Sequence, residues 1–324
     1  MRALEIQQQI LVVTERDIPT PLAYQVLIKV YAAGVNRPDV LQRQGLYPPP
    51  EGASDIPGLE VAGIIIACGH AVTPWQCGDA VCALVTGGGY AEYCLASAAL
   101  CLPMPTGFTF VQAAALPETF FTVWSNLVDR ANLTANETLL VLGGSSGIGT
   151  TAIQLANARG AKVLVTTGSE QKGQACLALG AAAAINYRTH DFVAEVNRLT
   201  AGKGVDVILD MVGGDYIPRN FKCMAFDARL VVIALQGGTK AEINLLPLML
   251  RRYTLTGSTL RGRSDDVKAQ LAQQLHQQVW PLLSSGHLRP IIYTTLPLTA
   301  AQHAHELMES SVHIGKIILE IEHD

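Results

Sequence analysis

One short segment combines glycines and serines in a spacing that could bind a phosphate. Between Thr138 and Ser169 the chain runs from an apolar strand, through a glycine-rich turn, into a helix. Within that turn, Gly144, Ser146 and Gly149 follow the dinucleotide-binding spacing, with serine where the middle glycine usually stands. Bare backbone there lets a pyrophosphate approach N–H groups at the positive end of a helix. We therefore predict a dinucleotide site built from Gly144, Ser145, Ser146, Gly147, Ile148 and Gly149.

The tip of the following strand indicates which nicotinamide cofactor would bind. An NAD site places an acidic residue there, roughly 20 residues after the glycines, to hold the ribose 2′-hydroxyl. This chain has Thr167, Gly168 and Ser169, with Lys172 one helical turn further on. A neutral tip beside a cation predicts a 2′-phosphate and therefore NADPH, although Ser169 also suits a plain helix cap and Lys172 a solvated charge. Tyr187 is expected to cover the adenosine, or else to pack on the sheet edge.

Alternating strands and helices must position this loop. The pattern predicts strands at 139–142, 163–166, 184–186, 205–210, 230–235 and 254–258, with helices at 150–159, 169–179 and 191–199. Such units form a doubly wound parallel sheet that binds ligands at the carboxyl ends of its strands. Turns at those ends are therefore expected to hold the cofactor, unless they are ordinary turns: Val212, Gly213, Leu235, Gln236 and Gly237. Leu260 and Arg261 follow the sixth strand and are expected to close over the nicotinamide.

The remaining sequence predicts a second, β-rich domain. Short strands separated by glycine and proline turns are expected at 25–32, 60–68, 80–84 and 90–95, before a helical pattern at 113–127. The last residues predict a helix at 265–283, a strand at 291–294, a helix at 300–309 and a strand at 316–321. These final elements are too few for a domain and are expected to rejoin the first. The predicted domains are 1–122 with 261–324, and 123–260.

Composition excludes several classes of protein. The chain has 324 residues, 49% hydrophobic and 15% charged, which excludes disorder throughout. A net charge of −4 and the lack of long basic runs argue against nucleic-acid binding. No apolar run reaches membrane-helix length, and the first residues lack a signal-peptide pattern, so a cytoplasmic location is expected. The seven cysteines include no C-x-x-C pair and are expected to be free thiols.

Several motifs resemble one known family over essentially the whole chain. They lie at 34–39, 42–50, 57–63, 87–93, 113–117 and 314–317, in addition to the glycine loop. Together they resemble the zeta-crystallin-type quinone oxidoreductases of the medium-chain dehydrogenase/reductase superfamily, and most of all the stress-inducible, tumour-suppressor-regulated subtype. The resemblance implies a chaperonin-10-like (GroES-like) β-rich catalytic domain, a Rossmann domain, an NADPH cofactor, a homodimer, and reduction of quinones without zinc.

The residues at the superfamily's zinc positions argue independently against a metal. Zinc-dependent relatives carry cysteine where this chain has Asn36, and histidine where it has Leu59. Neither an amide nor an isobutyl group replaces a thiolate or an imidazole as a Zn²⁺ ligand. The closely spaced cysteines of a structural zinc lobe are also missing from the sequence. No metal is therefore expected.

The resemblance also implies roles for individual side chains. Tyr47 and Asn36 would face the cleft and donate hydrogen bonds to a quinone oxygen, and Tyr47 could also deliver a proton. Thr122 would lie beside the nicotinamide. The alternatives are a tyrosine packed on the adjacent prolines, a turn-forming asparagine and an ordinary helix hydroxyl. Glu60, an acid within an apolar strand, is interpreted as a buried hydrogen-bonding partner rather than a catalyst.

The sequence therefore favours an NADPH-dependent quinone oxidoreductase that passes hydride from nicotinamide C4 to a small quinone. One alternative is a reductase of activated alkenes such as 2-alkenals or enones, which needs the same hydride donor. Another is a crystallin-like NADPH-binding protein with little turnover. The sequence leaves open which acceptor is used and whether electrons transfer singly or in pairs.

Overall fold

The computed structural model describes residues 1–323, which divide into two compact units. Unit 1 comprises residues 1–121 together with the residues from 260 onward, and unit 2 comprises Thr122–Thr259. Both boundaries lie one residue before those expected from the sequence. No helix in the described part of the chain is long and apolar enough to cross a membrane.

The elements are numbered in chain order. Strands β1 to β15 are Arg2–Gln7, Ile10–Glu15, Gln25–Val35, Glu60–Cys68, Ala80–Leu84, Tyr93–Ser97, Cys101–Pro103, Thr138–Leu142, Lys162–Thr167, Ala183–Asn186, Val205–Asp210, Met224–Val232, Thr254–Gly257, Ile292–Pro297 and Lys316–Glu320. Helices α1 to α11 are Arg37–Arg43, Phe110–Ala113, Pro117–Trp124, Gly147–Ala158, Glu170–Ala178, Phe192–Leu199, Tyr216–Asn220, Leu245–Leu250, Asp265–Gln278, Trp280–Ser284 and Ala301–Ser310. A π-helical stretch follows at Ser125–Arg130, and 3₁₀ turns lie at Ala98–Leu100, Phe221–Cys223 and Leu298–Ala300.

Unit 1 is built on a mixed sheet. Its strand order is β14-β15-β3-β4-β5-β7, with β6 paired to β3, and β1 and β2 form a separate hairpin. The last strand, β15, pairs antiparallel with β3, which confirms that the end of the chain rejoins the first domain. Its apolar side chains Ile317 and Leu319 are fully buried in the core of this unit.

Unit 2 contains the predicted doubly wound sheet. All six strands are parallel, in the order β10-β9-β8-β11-β12-β13. The strands are buried and aliphatic, as expected for a parallel sheet covered on both faces. From β8 the chain adds β9 and β10 on one side of the sheet. It then crosses to the other side of β8 and adds β11, β12 and β13 there, so the direction of strand addition reverses between β8 and β11. Ligands bind at such a reversal, beyond the carboxyl ends of the strands.

The single helix expected at 265–283 is wrong, because the chain forms α9 and α10 instead. Pro281 lies in the first turn of α10. Proline has no N–H to donate, and its ring clashes with the carbonyl four residues earlier, so a continuous helix cannot pass through it. The helical pattern at 113–127 is likewise divided, with α3 beginning at Pro117.

Two predicted strands have different limits in the structure. The strand expected at 90–95 begins at Tyr93, because the preceding backbone bonds to β1 through Leu4 N–H to Tyr90 carbonyl and Glu92 N–H to Arg2 carbonyl. The strand expected at 230–235 ends at Val232. Beyond it the chain turns, with the Gly238 N–H bonding back to the Leu235 carbonyl.

Candidate active site

The turn between β8 and α4 needs glycine at two of its predicted positions. A Cβ on Gly144 would lie 2.5 Å from the Cβ of Val165, and one on Gly149 would lie 2.4 Å from the carbonyl oxygens of Gly143 and Gly144. Real Cβ atoms do not approach other atoms so closely. The loop therefore packs its bare backbone against β9 and against itself, as a dinucleotide loop does.

Ser146 begins α4 and fixes the end of the loop. Its hydroxyl accepts the Gly149 N–H at 3.0 Å and donates to the Gly143 carbonyl at 2.9 Å. The loop is tied to β9 because the Gly144 N–H donates to the Thr166 carbonyl at 2.9 Å. The remaining N–H groups at the start of α4 are the donors that a helix offers to an anion.

The predicted residues at the tip of β9 lie together. The hydroxyl of Ser169 caps α5 by accepting the Lys172 N–H at 3.3 Å, which is the alternative that the sequence left open for it. The Tyr187 hydroxyl lies over Gly168, where an added Cβ would be 2.9 Å from its oxygen. The Tyr187 N–H also donates to the Thr167 carbonyl at 3.1 Å. The strand tip thus has a hydroxyl, bare backbone and an aromatic ring side by side.

A second cation beside this tip was not predicted. The Nε of Arg188 would lie 3.6 Å from a Cβ placed on Gly168. Burial lowers the pKa of the Lys172 ammonium, and the positive charge of Arg188 lowers it further. Two like charges are therefore close to each other at one strand end. The signal that could have identified Arg188 is its position directly after Tyr187, at the end of the adjacent strand.

Two further strand ends bring the other predicted backbone positions together. The buried carboxylate of Asp210 accepts the Val212 N–H at 2.6 Å and the Gly213 N–H at 3.0 Å, and it also takes the side-chain amide of Asn220 at 2.9 Å. The Gly237 N–H donates to the Val212 carbonyl at 2.7 Å.

The turn after β12 packs tightly on the turn after β11. A Cβ on Gly213 would meet the Leu235 side chain at 2.6 Å. Gln236, next in this turn, is exposed, and its N–H points to the Met211 carbonyl at 3.4 Å. These two turns therefore form one surface at the carboxyl edge of the sheet.

In unit 1, a buried cluster joins three residues that are far apart in the sequence. The Lys316 ammonium lies 2.6 Å from a Glu60 carboxylate oxygen and donates to the Asn36 Oδ1 at 2.6 Å. The Asn36 amide donates to the same Glu60 oxygen at 2.8 Å. The other Glu60 oxygen accepts the Glu118 N–H at 2.8 Å. Glu60 is fully buried, and its predicted role as a hydrogen-bonding partner is confirmed.

The side chain of Asn36 is hydrogen-bonded within the protein. Its side-chain N–H groups point to Glu60 and, at 3.4 Å, to the Gly34 carbonyl. An amide has two N–H donors, so this geometry commits both inside the protein. Asn36 therefore links Glu60 and Lys316 in this structure, and its contact with an acceptor molecule stays a prediction.

Tyr47 lies under the guanidinium of Arg261. The Arg261 Cζ is 5.6 Å from the centre of the Tyr47 ring. Arg261 Nε donates to the Thr86 carbonyl at 2.8 Å, whereas Nη1 and Nη2 have no hydrogen-bond partner in the described structure. Burial raises the pKa of the Tyr47 hydroxyl, which stays protonated near neutral pH, and the nearby Arg261 charge partly opposes that rise. Arg261 and the preceding residue, the buried Leu260, both belong to unit 1.

Two carboxyl groups of unit 1, those of Glu118 and Asp39, have raised pKa values. Loss of solvent, reinforced by the charge of Glu60, raises the pKa of Glu118 to about 8. Asp39 accepts N–H groups from Asn36 and Gly58 and the hydroxyl of Tyr90, and burial raises its pKa to about 6. Sequence reasoning gave neither carboxyl group a role, although Asp39 is the last residue of the motif at 34–39.

Thr122 is the first residue of unit 2 and is partly buried. Its carbonyl accepts the Ser125 hydroxyl at 3.1 Å and the Asn126 amide at 2.9 Å. The Asn126 amide oxygen in turn accepts the Ser258 hydroxyl at 2.7 Å. The predicted places of Thr122 and Leu260 beside the nicotinamide stay predictions.

Comparison with known proteins identifies both parts of the chain. Residues 23–106 match the alcohol dehydrogenase GroES-like domain, and residues 147–277 match the zinc-binding dehydrogenase family. A quinone oxidoreductase from Rattus norvegicus is 34% identical over 304 residues, which cover 93% of this chain and 91% of the relative. The structure of Escherichia coli quinone oxidoreductase complexed with NADPH is 30% identical, with a TM-score of 0.87 and coverage of 98% and 99%.

Enoyl reductases are among the structural neighbours as well. The structure of CurK enoyl reductase is 28% identical, with a TM-score of 0.85 and 99% of each chain covered. The sequence identity to quinone oxidoreductases extends over nearly the full length of both proteins. The chain belongs to the quinone oxidoreductase family of the medium-chain dehydrogenase/reductase superfamily.

Proposed function

We propose that this oxidoreductase uses NADPH to reduce small quinones without a metal ion. One observation carries the proposal: a dinucleotide loop beside a strand tip with two cations, in a chain similar over 93% of its length to quinone oxidoreductases. The rat relative is named for quinone reduction and the E. coli structure for its NADPH.

The residues of unit 2 fit NADPH. When bound, NADPH supplies a hydride from its nicotinamide C4. N–H groups at the start of α4 would hold the pyrophosphate, and the backbone that approaches it is bare because Gly144 and Gly149 have no room for a Cβ. Lys172 and Arg188 would take the 2′-phosphate, with the Tyr187 ring over the adenosine. Thr167, Gly168 and Ser169 carry no acidic side chain, and the carboxylate of the following residue, Glu170, accepts the Gln174 side-chain amide at 2.8 Å.

Unit 1 would supply the group that contacts the acceptor. The protonated Tyr47 hydroxyl is suited to donate a hydrogen bond to a quinone oxygen. Asn36 would act as a positioning residue, because its amide hydrogens donate to Glu60 and to the Gly34 carbonyl while its Oδ1 accepts the Lys316 ammonium. This assignment modifies the role that the sequence predicted for Asn36.

The residues at the superfamily's zinc positions do not fit a zinc ion. Leu59 is apolar and buried, and Asn36 presents an amide. The ammonium of Lys316 already lies between Asn36 and Glu60, where it supplies the positive charge that this carboxylate requires. Among residues 1–323, no group of three or more histidine, cysteine, aspartate or glutamate side chains is arranged to hold a metal.

Reduction of activated alkenes is the second candidate, favoured by the likeness to CurK enoyl reductase. A steady-state panel with NADPH, comparing ortho- and para-quinones with 2-alkenals and enones, separates the two. We expect kcat/KM for quinones to exceed that for alkenals at least tenfold. If alkenals were the better substrates, alkene reduction would replace quinone reduction as the function. If the protein reduced neither class, it would be an NADPH-binding protein with little turnover.

The proposal of a homodimer rests on an exposed apolar face of unit 2. Helix α8 has no buried residue and exposes Leu245, Leu246, Met249 and Leu250. It directly precedes β13, the edge strand of the parallel sheet. An unpaired edge beside apolar side chains is suited to pair with a second copy of the same chain.

A further inference from the structure

The arginine that the sequence assigned to the cofactor has an unexplained geometry. Arg261 is only 8% exposed, yet neither of its terminal nitrogens has a hydrogen-bond partner among the described residues. A guanidinium remains charged at every physiological pH. Leaving such donors buried without partners costs free energy unless a ligand supplies the acceptor.

The surrounding structure holds this guanidinium firmly. Its Nε is fixed by the Thr86 carbonyl at 2.8 Å, and the Lys268 ammonium holds the Arg261 carbonyl at 3.3 Å. The Tyr47 ring covers it at 5.6 Å. Gly87 lies beside the free end, because a Cβ there would be 3.5 Å from Nη2. The side chain is thus held in one orientation before any ligand binds, and Nη1 and Nη2 remain as donors for a ligand.

Burial lowers the pKa of Arg261 and the Asp39 charge partly opposes this, but no carboxylate among the described residues bonds to Nη1 or Nη2. Both oxygens of Asp39 are already used by the Asn36 and Gly58 N–H groups and the Tyr90 hydroxyl. The Glu118 carboxyl, with its pKa at about 8, is mostly neutral at pH 7. Glu60 is paired with Lys316. The two terminal nitrogens of the guanidinium are therefore buried donors without an acceptor among the described residues.

We propose that Nη1 and Nη2 of Arg261 bind the acceptor oxygen on which negative charge develops, with the Tyr47 hydroxyl as the adjacent donor. This inference rests on the proposed quinone reduction. In that reaction the acceptor gains a proton and an electron pair as hydride and becomes a hydroquinone monoanion. A second proton, from Tyr47 or solvent, then completes the hydroquinone. Arg261 stabilises the monoanion before that proton arrives.

Three variants test this assignment: Arg261→Gln, Arg261→Lys and, as control, Arg263→Gln in the same loop. We expect Arg261→Gln to lower kcat/KM for quinones about 100-fold, a typical loss for one oxyanion donor. Arg261→Lys should retain part of the activity, because it keeps the charge but not the planar pair of donors. The NADPH dissociation constant, from fluorescence titration, should change less than twofold, and the control should match the wild type in both.

Binding of 4-nitrophenol to the NADP⁺ complex provides a readout independent of turnover. The wild type should stabilise the phenolate, seen as stronger phenolate absorbance at fixed pH, and Arg261→Gln should lose this effect. If NADPH affinity falls in parallel with activity, Arg261 serves the cofactor and the proposal is wrong. It is equally wrong if kcat/KM and the phenolate signal are unchanged. A wild type that binds phenolate but reduces no quinone would reject the proposed function and keep the anion site.

Discussion

At the scale of single residues, we expect the choice between the two nicotinamide cofactors to depend on charge at one strand tip. Lys172 is partly desolvated, which lowers its pKa, and Arg188 lies close enough to lower it further. Two adjacent cations repel each other in the free protein. A doubly charged phosphate placed between them relieves that repulsion and gains charge-assisted hydrogen bonds.

Replacing either cation should therefore weaken NADPH binding selectively. We expect Lys172→Gln and Arg188→Gln each to raise the NADPH dissociation constant about tenfold or more, because a hydrogen bond to a charged group contributes about 1.5–3 kcal/mol. NADH affinity should change little, since NADH lacks the 2′-phosphate. Fluorescence titration with both cofactors measures this, with Lys222→Gln as a control outside the site. Equal losses for NADH and NADPH would show that these cations do not contact the 2′-phosphate.

At the scale of elements, helix α11 is attached to the site of unit 1 through a buried histidine. The ring of His305 is fully buried, and its Nε2 lies 3.2 Å from the Tyr90 hydroxyl, which also donates to Asp39. Burial, with the positive charges of Arg43 and Arg37, lowers the pKa of His305 to about 3. The folded protein therefore keeps this imidazole neutral.

This histidine should make unit 1 sensitive to acid. In the unfolded chain, His305 takes up a proton below about pH 6.5, whereas the folded form resists protonation down to about pH 3, so stability is lost as pH falls through that interval. By linkage, the loss from this group between about pH 7 and about pH 5 is about 2 kcal/mol. His305→Gln, which can still bond Tyr90, should lose correspondingly less stability over that range.

Urea unfolding at about pH 7 and about pH 5 measures how much the free energy of unfolding changes in the wild type and in His305→Gln. Asp39, whose pKa is also shifted, is present in the wild type and the variant and should affect both alike. His303→Gln, on the exposed side of the same helix, serves as the control and should behave as the wild type. An unchanged pH dependence in His305→Gln would contradict the assignment.

The elements also explain what the sequence could and could not predict. The parallel sheet and the glycine loop were predictable because their signals are local: an apolar strand, a glycine turn and a helix follow one another. The cluster of Asn36, Glu60 and Lys316 was not, since its members are 24 and 280 residues apart and only strand pairing brings them together. Arg188 was missed because an exposed arginine in a turn looks like any solvated charge. The break at Pro281 had a clear signal in the proline itself.

At the scale of the whole molecule, the exposed apolar helix α8 should determine the oligomeric state. We expect the wild type to be a dimer and the Leu246→Glu/Met249→Glu double variant to be a monomer, because carboxylates would be buried unpaired at the interface. Light scattering after size-exclusion chromatography measures the mass. Leu22→Glu, at an exposed leucine in unit 1, is the matched control and should remain dimeric. A double variant that still dimerises would place the interface elsewhere.

The order of strands in unit 1 also constrains how the protein is made. Strand β15 lies between β14 and β3, and its Lys316 ammonium donates to the Val35 carbonyl, 281 positions earlier in the chain. Unit 2 is continuous, so all of its strands leave the ribosome before β15 is synthesised. Until β15 is synthesised, residues 32–35 of β3 lack this partner strand and Glu60 lacks the Lys316 ammonium. The buried cluster of Asn36, Glu60 and Lys316 therefore forms only after every strand of unit 2 has been synthesised.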